Sequence, residues 1–139
     1  MKMDIQLTTE PLLPNHRLPE EFALSAGAVL EFWGVVRGEE DGRAIAALEY
    51  EAYQPMAERV MRRQLEELAG RHPCLFVRVR QRLGVVPAGE AAFHMVVMAR
   101  HRAEALAMIE EFMHRLKQDV PIWKRQAPSG ETLPSGSHA

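Results

Sequence analysis

The chain has very little cysteine and no long apolar stretch. Cys74 is the only cysteine among 139 residues, which excludes a disulfide framework and a metal site built from thiolates. No apolar run approaches the roughly 20 residues that span a bilayer, and the first residues lack the apolar segment of a secretion signal. We therefore expect a cytoplasmic protein that makes no membrane contact.

Two further absences concern metals and cofactors. Six histidines are present, but none has the spacing of a metal-ligand set. The chain also contains no glycine-rich phosphate loop and no nucleophile elbow. We expect neither a metal nor a bound cofactor, so the chemistry must come from ordinary side chains.

A large excess of positive charge is missing as well. The formal net charge is −2, which argues against general nucleic-acid binding. Arg78, Arg80 and Arg82 nevertheless alternate along one predicted strand and form a local basic row. Such a row is typical of a solvated or edge-protecting strand face. An acidic partner surface and a nucleic-acid site are the alternatives.

Composition and periodicity predict one α+β domain over residues 1–126, followed by a flexible tail at 127–139 that is rich in proline, serine and glycine. Predicted strands lie at 3–7, 28–37, 45–52, 75–83 and 91–99, a helix start lies at 19–22, helices lie at 55–69 and 103–117, and an extended segment lies at 122–124. We expect strand 28–37 to be buried and to form a hairpin with 45–52. Gly70 is expected to follow the end of the first long helix, and 84–90 to form a loop.

Two lysines near the end of the chain are the first candidates for chemistry. Lys117 ends the last predicted helix, Pro121 prevents the helix from continuing, and Lys124 follows Trp123. A lysine beside apolar bulk loses hydration, which makes its amine more available as a base or nucleophile. The simpler interpretations are a lysine that complements the helix dipole and an exposed strand lysine.

Anion binding is predicted at two other places. His101 and Arg102 precede the first turn of the last helix, where free backbone N–H groups favour anions. Arg37 ends a strand that is otherwise apolar. A solvated arginine, or the point at which a strand meets solvent, would explain the same residues without a ligand.

Five segments, in this order, resemble the large, catalytic subunits of molybdopterin synthases, over roughly residues 26–130. They are Phe-Trp-Gly-Val-Val-Arg at 32–37, Leu-Glu-Tyr-Glu-Ala-Tyr and then Met-Ala-Glu within 48–58, Arg-Leu-Gly and Gly-Glu within 82–90, His-Arg at 101–102, and Leu-Lys followed by Val-Pro-Ile-Trp-Lys-Arg within 116–125. Any one of these segments is a weak signal, whereas the ordered set is specific.

The resemblance implies a fold, an activity and partners. The fold is an α/β hammerhead with an antiparallel sheet and packed helices. The activity is transfer of sulfur from the thiocarboxylated C-terminal glycine of a small ubiquitin-like subunit to cyclic pyranopterin monophosphate, which makes the molybdopterin dithiolene of molybdenum cofactor biosynthesis. The large subunits form a homodimer within a heterotetramer. A non-catalytic homologue that binds the small subunit without turnover is the alternative.

Site residues follow from the same resemblance. Lys117 and Lys124 match the two active-site lysines, Lys117 for proton transfer and tail contact and Lys124 for holding the substrate anion. The positions that match substrate contacts are Val35, Val36, Arg37, His101, Arg102, Lys117, Lys124, Arg125 and Gln126. The sequence departs from the family pattern at Gln81, where histidine is frequent, and at Gln126, where glutamate is usual.

Helix length constrains how these residues meet. A helix over 103–117 is about 22 Å long, so His101 and Arg102 at one end cannot contact the same small ligand as Lys117 in one chain. We therefore predict a composite pocket in which a second copy, related by a two-fold axis, contributes His101 and Arg102.

Overall fold

A computed structural model describes residues 1–13 and 17–126. This part of the chain contains short strands, two long helices and one 3-10 turn. They are β1 (Lys2–Thr8), a 3-10 turn (Glu20–Phe22), β2 (Ala28–Val35), β3 (Glu39–Glu40), β4 (Arg43–Ala44), β5 (Ala47–Ala52), α1 (Gln54–Arg71), β6 (Phe76–Arg82), β7 (Gly84–Pro87), β8 (Ala91–Ala99), α2 (Arg102–Asp119) and β9 (Ile122–Gln126). The predicted α+β class is confirmed. The tail predicted at 127–139 lies outside the described residues.

The main sheet carries both helices on one face. Its strand order is β1-β6-β8-β2, antiparallel except for the parallel pair of β1 and β6. Residues at every second position of β6 and β8 point towards the helices and are buried, as a period of two requires. The core joins them to the apolar stripes of α1 and α2, through Val77, Val79, Met95, Val97, Met61, Leu65, Leu68, Met108 and Phe112.

A smaller sheet, with the order β7-β5-β9, stands beside the main one. All its pairs are antiparallel, and a second apolar cluster fills the space behind it. The cluster consists of Val36, Ile45, Leu48, Val86 and Ala92. Because Ala92 belongs to β8, this cluster links the small sheet to the large one.

The end of α2 positions the next strand. The helix continues to Asp119, two residues beyond the predicted end, and Val120 is extended (φ −82°, ψ 129°). The residue before a proline is pushed out of the helical region, so Pro121 ends α2, and β9 begins at Ile122. The predicted last helix and the extended segment after it are confirmed.

Two predictions about β2 were wrong. Among the described residues this strand pairs only with β8 and forms an edge of the main sheet, with Val29 and Val35 about half exposed. Segment 45–52 is not its hairpin partner, since β5 pairs with β7 and β9. Between them lies the short hairpin β3–β4, whose turn at Asp41 and Gly42 has positive φ at both residues, a geometry typical of Asp-Gly turns.

Three smaller predictions also differ from the structure. Gly70 lies inside α1, which ends at Arg71. Part of the predicted loop at 84–90 is strand β7, because its backbone pairs with β5. The predicted helix start at 19–22 forms only a single 3-10 turn. In the described part of the chain, neither helix is long and apolar enough to cross a membrane.

Candidate active site

A cleft of about 500 Å³ opens between the end of α2, strand β9 and the edge of the main sheet. Elements from both sheets and from α2 supply its walls. The lining residues are Phe32, Gly34, Val35, Tyr50, Gln81, Ala92, Phe93, Met113, Leu116, Lys117, Ile122, Trp123 and Lys124.

The structure brings Lys117 and Lys124 to this one cleft. Lys117 lies in the last turn of α2, and Lys124 lies in β9 after the break at Pro121. Both side chains are exposed. The apolar surroundings that we expected around the two amines are therefore not complete in one free chain, and a bound partner or substrate would have to add them.

The walls of the cleft are largely apolar, and Gly34 allows β2 and β8 to pack closely beside it. Phe32 and Phe93 meet edge to face with ring centroids 6.2 Å apart. A Cβ atom on Gly34 would lie 3.3 Å from Cβ of Phe93, which is tighter than most side-chain contacts. The pairing of β2 with β8 is irregular between Gly34 and Val35, and this bulge turns Val35 towards the cleft.

Sequence reasoning missed two polar groups of the lining as site residues. Gln81 is buried, and its Nε2 donates to the carbonyl oxygens of Arg82 at 3.0 Å and Ala92 at 3.2 Å, so the amide joins β6 to β8 at the cleft floor. Tyr50 is half-buried, and burial together with the carboxylate of Glu40 raises the pKa of its phenol. The alternation along 45–52 was the available signal for Tyr50, but the partner strands were not known.

Of the three neighbouring positions 35–37, only Val35 lines the cleft. Val36 is 2% exposed and packs in the second apolar cluster. Arg37 lines a separate surface depression, and its guanidinium forms an ion pair with Glu40 at 3.6 Å. Substrate contact by Val36 or Arg37 stays a prediction.

Arg125 and Gln126 do not line the cleft either. Because side chains alternate along a strand, Arg125 lies on the opposite face of β9 from Lys124. Its guanidinium binds the Glu49 carboxylate at 2.8 Å. Gln126 pairs with Leu48 at the end of the strand.

His101 and Arg102 lie at the far end of α2 and are exposed. They are not part of the lysine cleft of their own chain. This separation is what the helix length predicted. The predicted contribution from a second copy is not tested by one chain.

Each arginine of the basic row on β6 is ion-paired within the chain. The Asp4 carboxylate accepts bonds from Arg78 at 3.1 Å and Arg80 at 2.9 Å, and the Arg80 and Arg78 guanidinium groups hold the pKa of Asp4 below its usual value. Arg82 is buried and binds Glu90 at 2.7 Å. The row is therefore not the solvated face that we expected, and it offers little unpaired charge to a nucleic acid.

The remaining candidates for chemistry are weak. Cys74 is buried, and burial raises the pKa of its thiol to about 11, which disfavours the reactive thiolate. Across residues 1–13 and 17–126, histidine, cysteine, aspartate and glutamate form no group of three that could hold a metal ion. The lysine cleft is the best candidate for an active site.

The fold and the cleft define a small α+β protein with two lysines in one cleft, and comparison with known proteins identifies the family. The family model described as "MoaE protein" matches residues 7–119. The chain therefore belongs to the MoaE family, and the predicted family is confirmed.

Two curated relatives carry the same name. The molybdopterin synthase catalytic subunit of rice (Oryza sativa subsp. indica) is 40% identical over 103 residues, which are 74% of this chain and 53% of the relative. The human protein of the same name is 38% identical over 100 residues, 72% of this chain and 53% of the relative. The chain thus matches only about half the length of these relatives.

Solved structures agree on the fold. A molybdopterin synthase from Staphylococcus aureus superposes with a TM-score of 0.77 at 29% identity, over 90% of this chain and 91% of the other. A molybdopterin biosynthesis MoaE protein from Burkholderia ambifaria gives 0.74 at 27% identity, over 93% and 85%. A Helicobacter pylori complex of subunits 1 and 2 of molybdopterin-converting factor gives 0.69 at 24% identity, over 93% and 86%, and supports the fold alone.

Proposed function

We propose that this chain is the catalytic subunit of a molybdopterin synthase. It transfers sulfur from the thiocarboxylated C-terminal glycine of a small ubiquitin-like subunit to cyclic pyranopterin monophosphate, and the product is the molybdopterin dithiolene. The observation that carries the proposal is the placement of Lys117 and Lys124 in one cleft with apolar walls. The names of the relatives support the same activity.

The residue types suit this chemistry. A thiocarboxylate is already nucleophilic, so the protein needs no activated cysteine. Its sulfur attacks a carbon of the pterin side chain and displaces the oxygen bound to that carbon, which leaves with a proton. The thioester that forms between the two molecules is then hydrolysed by water. The thiolate stays on the pterin and the glycine carboxylate leaves on the small subunit. Lysine ammonium groups stabilise the oxyanion that develops in hydrolysis and supply protons to departing oxygens.

The cleft also suits an inserted peptide tail. Trp123 and Val35 expose apolar surface at the cleft, and a bound tail would cover this surface and exclude water from the amines. Exclusion of water strengthens each charge–charge interaction in the site. Because a dithiolene holds two sulfur atoms, each product molecule consumes two thiocarboxylated tails.

The assembly that we propose is a homodimer of this chain with one small subunit at each end, working in the cytoplasm without nucleic acid or membrane. The distance along α2 supports the dimer, since His101 and Arg102 can reach a lysine cleft only if that cleft belongs to another chain. Arg37, His101 and Arg102 would then provide charge-assisted donors to the substrate phosphate.

The test is to incubate the protein with thiocarboxylated small subunit and the pyranopterin precursor, and to measure molybdopterin. Lys117→Ala and Lys124→Ala should each lower the rate by about a hundredfold or more, the usual contribution of a proton-transfer group. Lys2→Ala is the matched control, because Lys2 is an exposed lysine whose partner is Glu21 on the surface. A wild-type protein that binds the small subunit but makes no product would support the non-catalytic alternative.

A further inference from the structure

We propose that Tyr50 is a ligand-binding residue of the lysine cleft, where its phenol O–H donates a hydrogen bond to the same oxyanion that Lys124 holds. The inference deepens the proposed function and rests on it for the identity of the ligands. The oxyanion belongs either to the glycine tail of the small subunit or to the pterin phosphate.

The first argument is the register of the small sheet. Tyr50 in β5 lies directly opposite Lys124 in β9, and directly opposite residues of antiparallel strands have Cβ atoms about 4.5–5.5 Å apart on one face. Both side chains line the cleft. A neutral donor and a cationic donor therefore stand side by side, the arrangement that binds an oxyanion through two hydrogen bonds.

The second argument is the space around the phenol. On its other side Tyr50 lies opposite Gly84 in β7, which contributes no side chain. Even a Cβ atom built on Gly84 would have no neighbour within 4 Å. The Gly84 side of Tyr50 is therefore open, so a ligand can reach the ring from there.

The third argument is the hydrogen bonding of Tyr50. Within residues 1–13 and 17–126, its hydroxyl has no hydrogen-bond partner, and its oxygen is not one of the buried polar atoms that lack a partner, so the hydroxyl is open to the cleft that Tyr50 lines. The hydroxyl can therefore donate to a ligand without breaking a hydrogen bond within the described chain. A ligand in the cleft would provide the partner that the chain does not.

The protonation state fits a donor. Burial and the Glu40 carboxylate raise the pKa of Tyr50 above 10.0, so the phenol keeps its proton at neutral pH. Glu40 does not prevent an anion from binding nearby, because Arg37 pairs with its carboxylate and Lys124 adds a positive charge next to the phenol. Tyr50 is thus a fixed donor that does not itself need to titrate.

The chain offers a direct test because it contains only two tyrosines, Tyr50 and Tyr53. Protein labelled with 3-fluorotyrosine gives one fluorine resonance for each, and Tyr50→Phe assigns them. Two ligands are added separately at mildly acidic pH: the small subunit with an ordinary glycine carboxylate, and the pyranopterin precursor. We expect the Tyr50 resonance to shift with one of them, which identifies the source of the oxyanion. The exposed Tyr53 should not respond.

Activity gives the second readout. Loss of one hydrogen bond to a charged group weakens binding by about ten- to a hundredfold, so Tyr50→Phe should raise KM or Kd for the ligand identified by fluorine by that factor. Tyr53→Phe is the matched control, because its side chain is largely exposed at the start of α1 and should leave both constants unchanged. Since the Tyr50 hydroxyl has no partner in the described chain, Tyr50→Phe should also keep the thermal unfolding midpoint.

The possible failures are distinguishable. An unmoved Tyr50 resonance with both ligands, or wild-type constants in Tyr50→Phe, overturns the role of Tyr50 while synthase activity stands. An inactive wild-type protein overturns the proposed function, and the fluorine titrations then still decide whether Tyr50 meets an anion. Unfolding of Tyr50→Phe at a markedly lower temperature would assign the hydroxyl a structural role and also overturn the inference.

Discussion

Replacing Lys117 by alanine in one chain and Arg102 by alanine in another should abolish activity in each protein and restore part of it on mixing. The two residues occupy opposite ends of α2, about 22 Å apart along the helix axis. One small substrate cannot contact both in the same chain. If both act on one substrate, each pocket combines Lys117 of one chain with Arg102 of the other.

The size of the recovery follows from this geometry. When the two variants exchange subunits freely at equal concentrations, about half of the dimers contain one chain of each kind. In such a dimer one pocket carries both substitutions and the other carries neither. About a quarter of all pockets are then intact, so we expect about a quarter of the wild-type activity.

A second mixture provides the control. Lys117 and Lys124 line the same cleft of one chain, so mixing Lys117→Ala with Lys124→Ala leaves every pocket with one lysine missing, and no activity should return. The chains carry two different affinity tags, and sequential purification confirms that mixed dimers have formed. Absence of recovery in verified Lys117→Ala/Arg102→Ala dimers, at every mixing ratio, would refute the composite pocket.

Three further predictions concern groups outside the cleft. Cys74→Ser should retain synthase activity in the product assay. The wild-type thiol should react slowly with a disulfide reagent at neutral pH, because burial raises its pKa to about 11. A fast reaction would contradict its burial. Asp4→Asn should be less stable by about 1 kcal/mol, since the ion pairs with Arg78 and Arg80 are partly exposed. The folded-state pKa of Asp4 lies below its value of 3.8 in the unfolded chain, so denaturant titrations should show this difference above pH 3.8 and its loss as the pH falls through the folded-state pKa. Phe112→Ala should cost about 3–5 kcal/mol in the same titrations, because the ring is fully buried, and a loss below about 1 kcal/mol would mean that the core closes around the cavity.

The parts of the fold that depend on local signals were predictable. The apolar spacing of α2 and the proline after it predicted both the helix and the start of β9, because helix periodicity and proline geometry act within a few residues. The pairing of β5 was not predictable in this way. Its partners are contributed by segments that lie over thirty residues further along the chain, and a strand pattern records which face is apolar but not which strand lies beside it.

The candidate site was likewise predictable only in part. The spacing of Lys117 and Lys124 around Pro121 indicated a shared position, and both line one cleft. Tyr50 could not be placed there from sequence, because its side of the small sheet is defined only once Lys124 and Gly84 are known to be its cross-strand neighbours. Val36 is the opposite case. The resemblance matched it to a substrate contact, but in the structure of the chain it is buried.

The register of β9 decides which cation enters the cleft. A shift by one residue would turn every side chain of the strand to the other face, so Arg125 would replace Lys124 beside Tyr50. Two contacts oppose this shift: Ile122 pairs with Ala52 on the cleft face, and Arg125 binds Glu49 on the other face at 2.8 Å. In the free chain, the ion pair of Arg125 with Glu49 therefore favours the register that places Lys124, rather than Arg125, beside Tyr50.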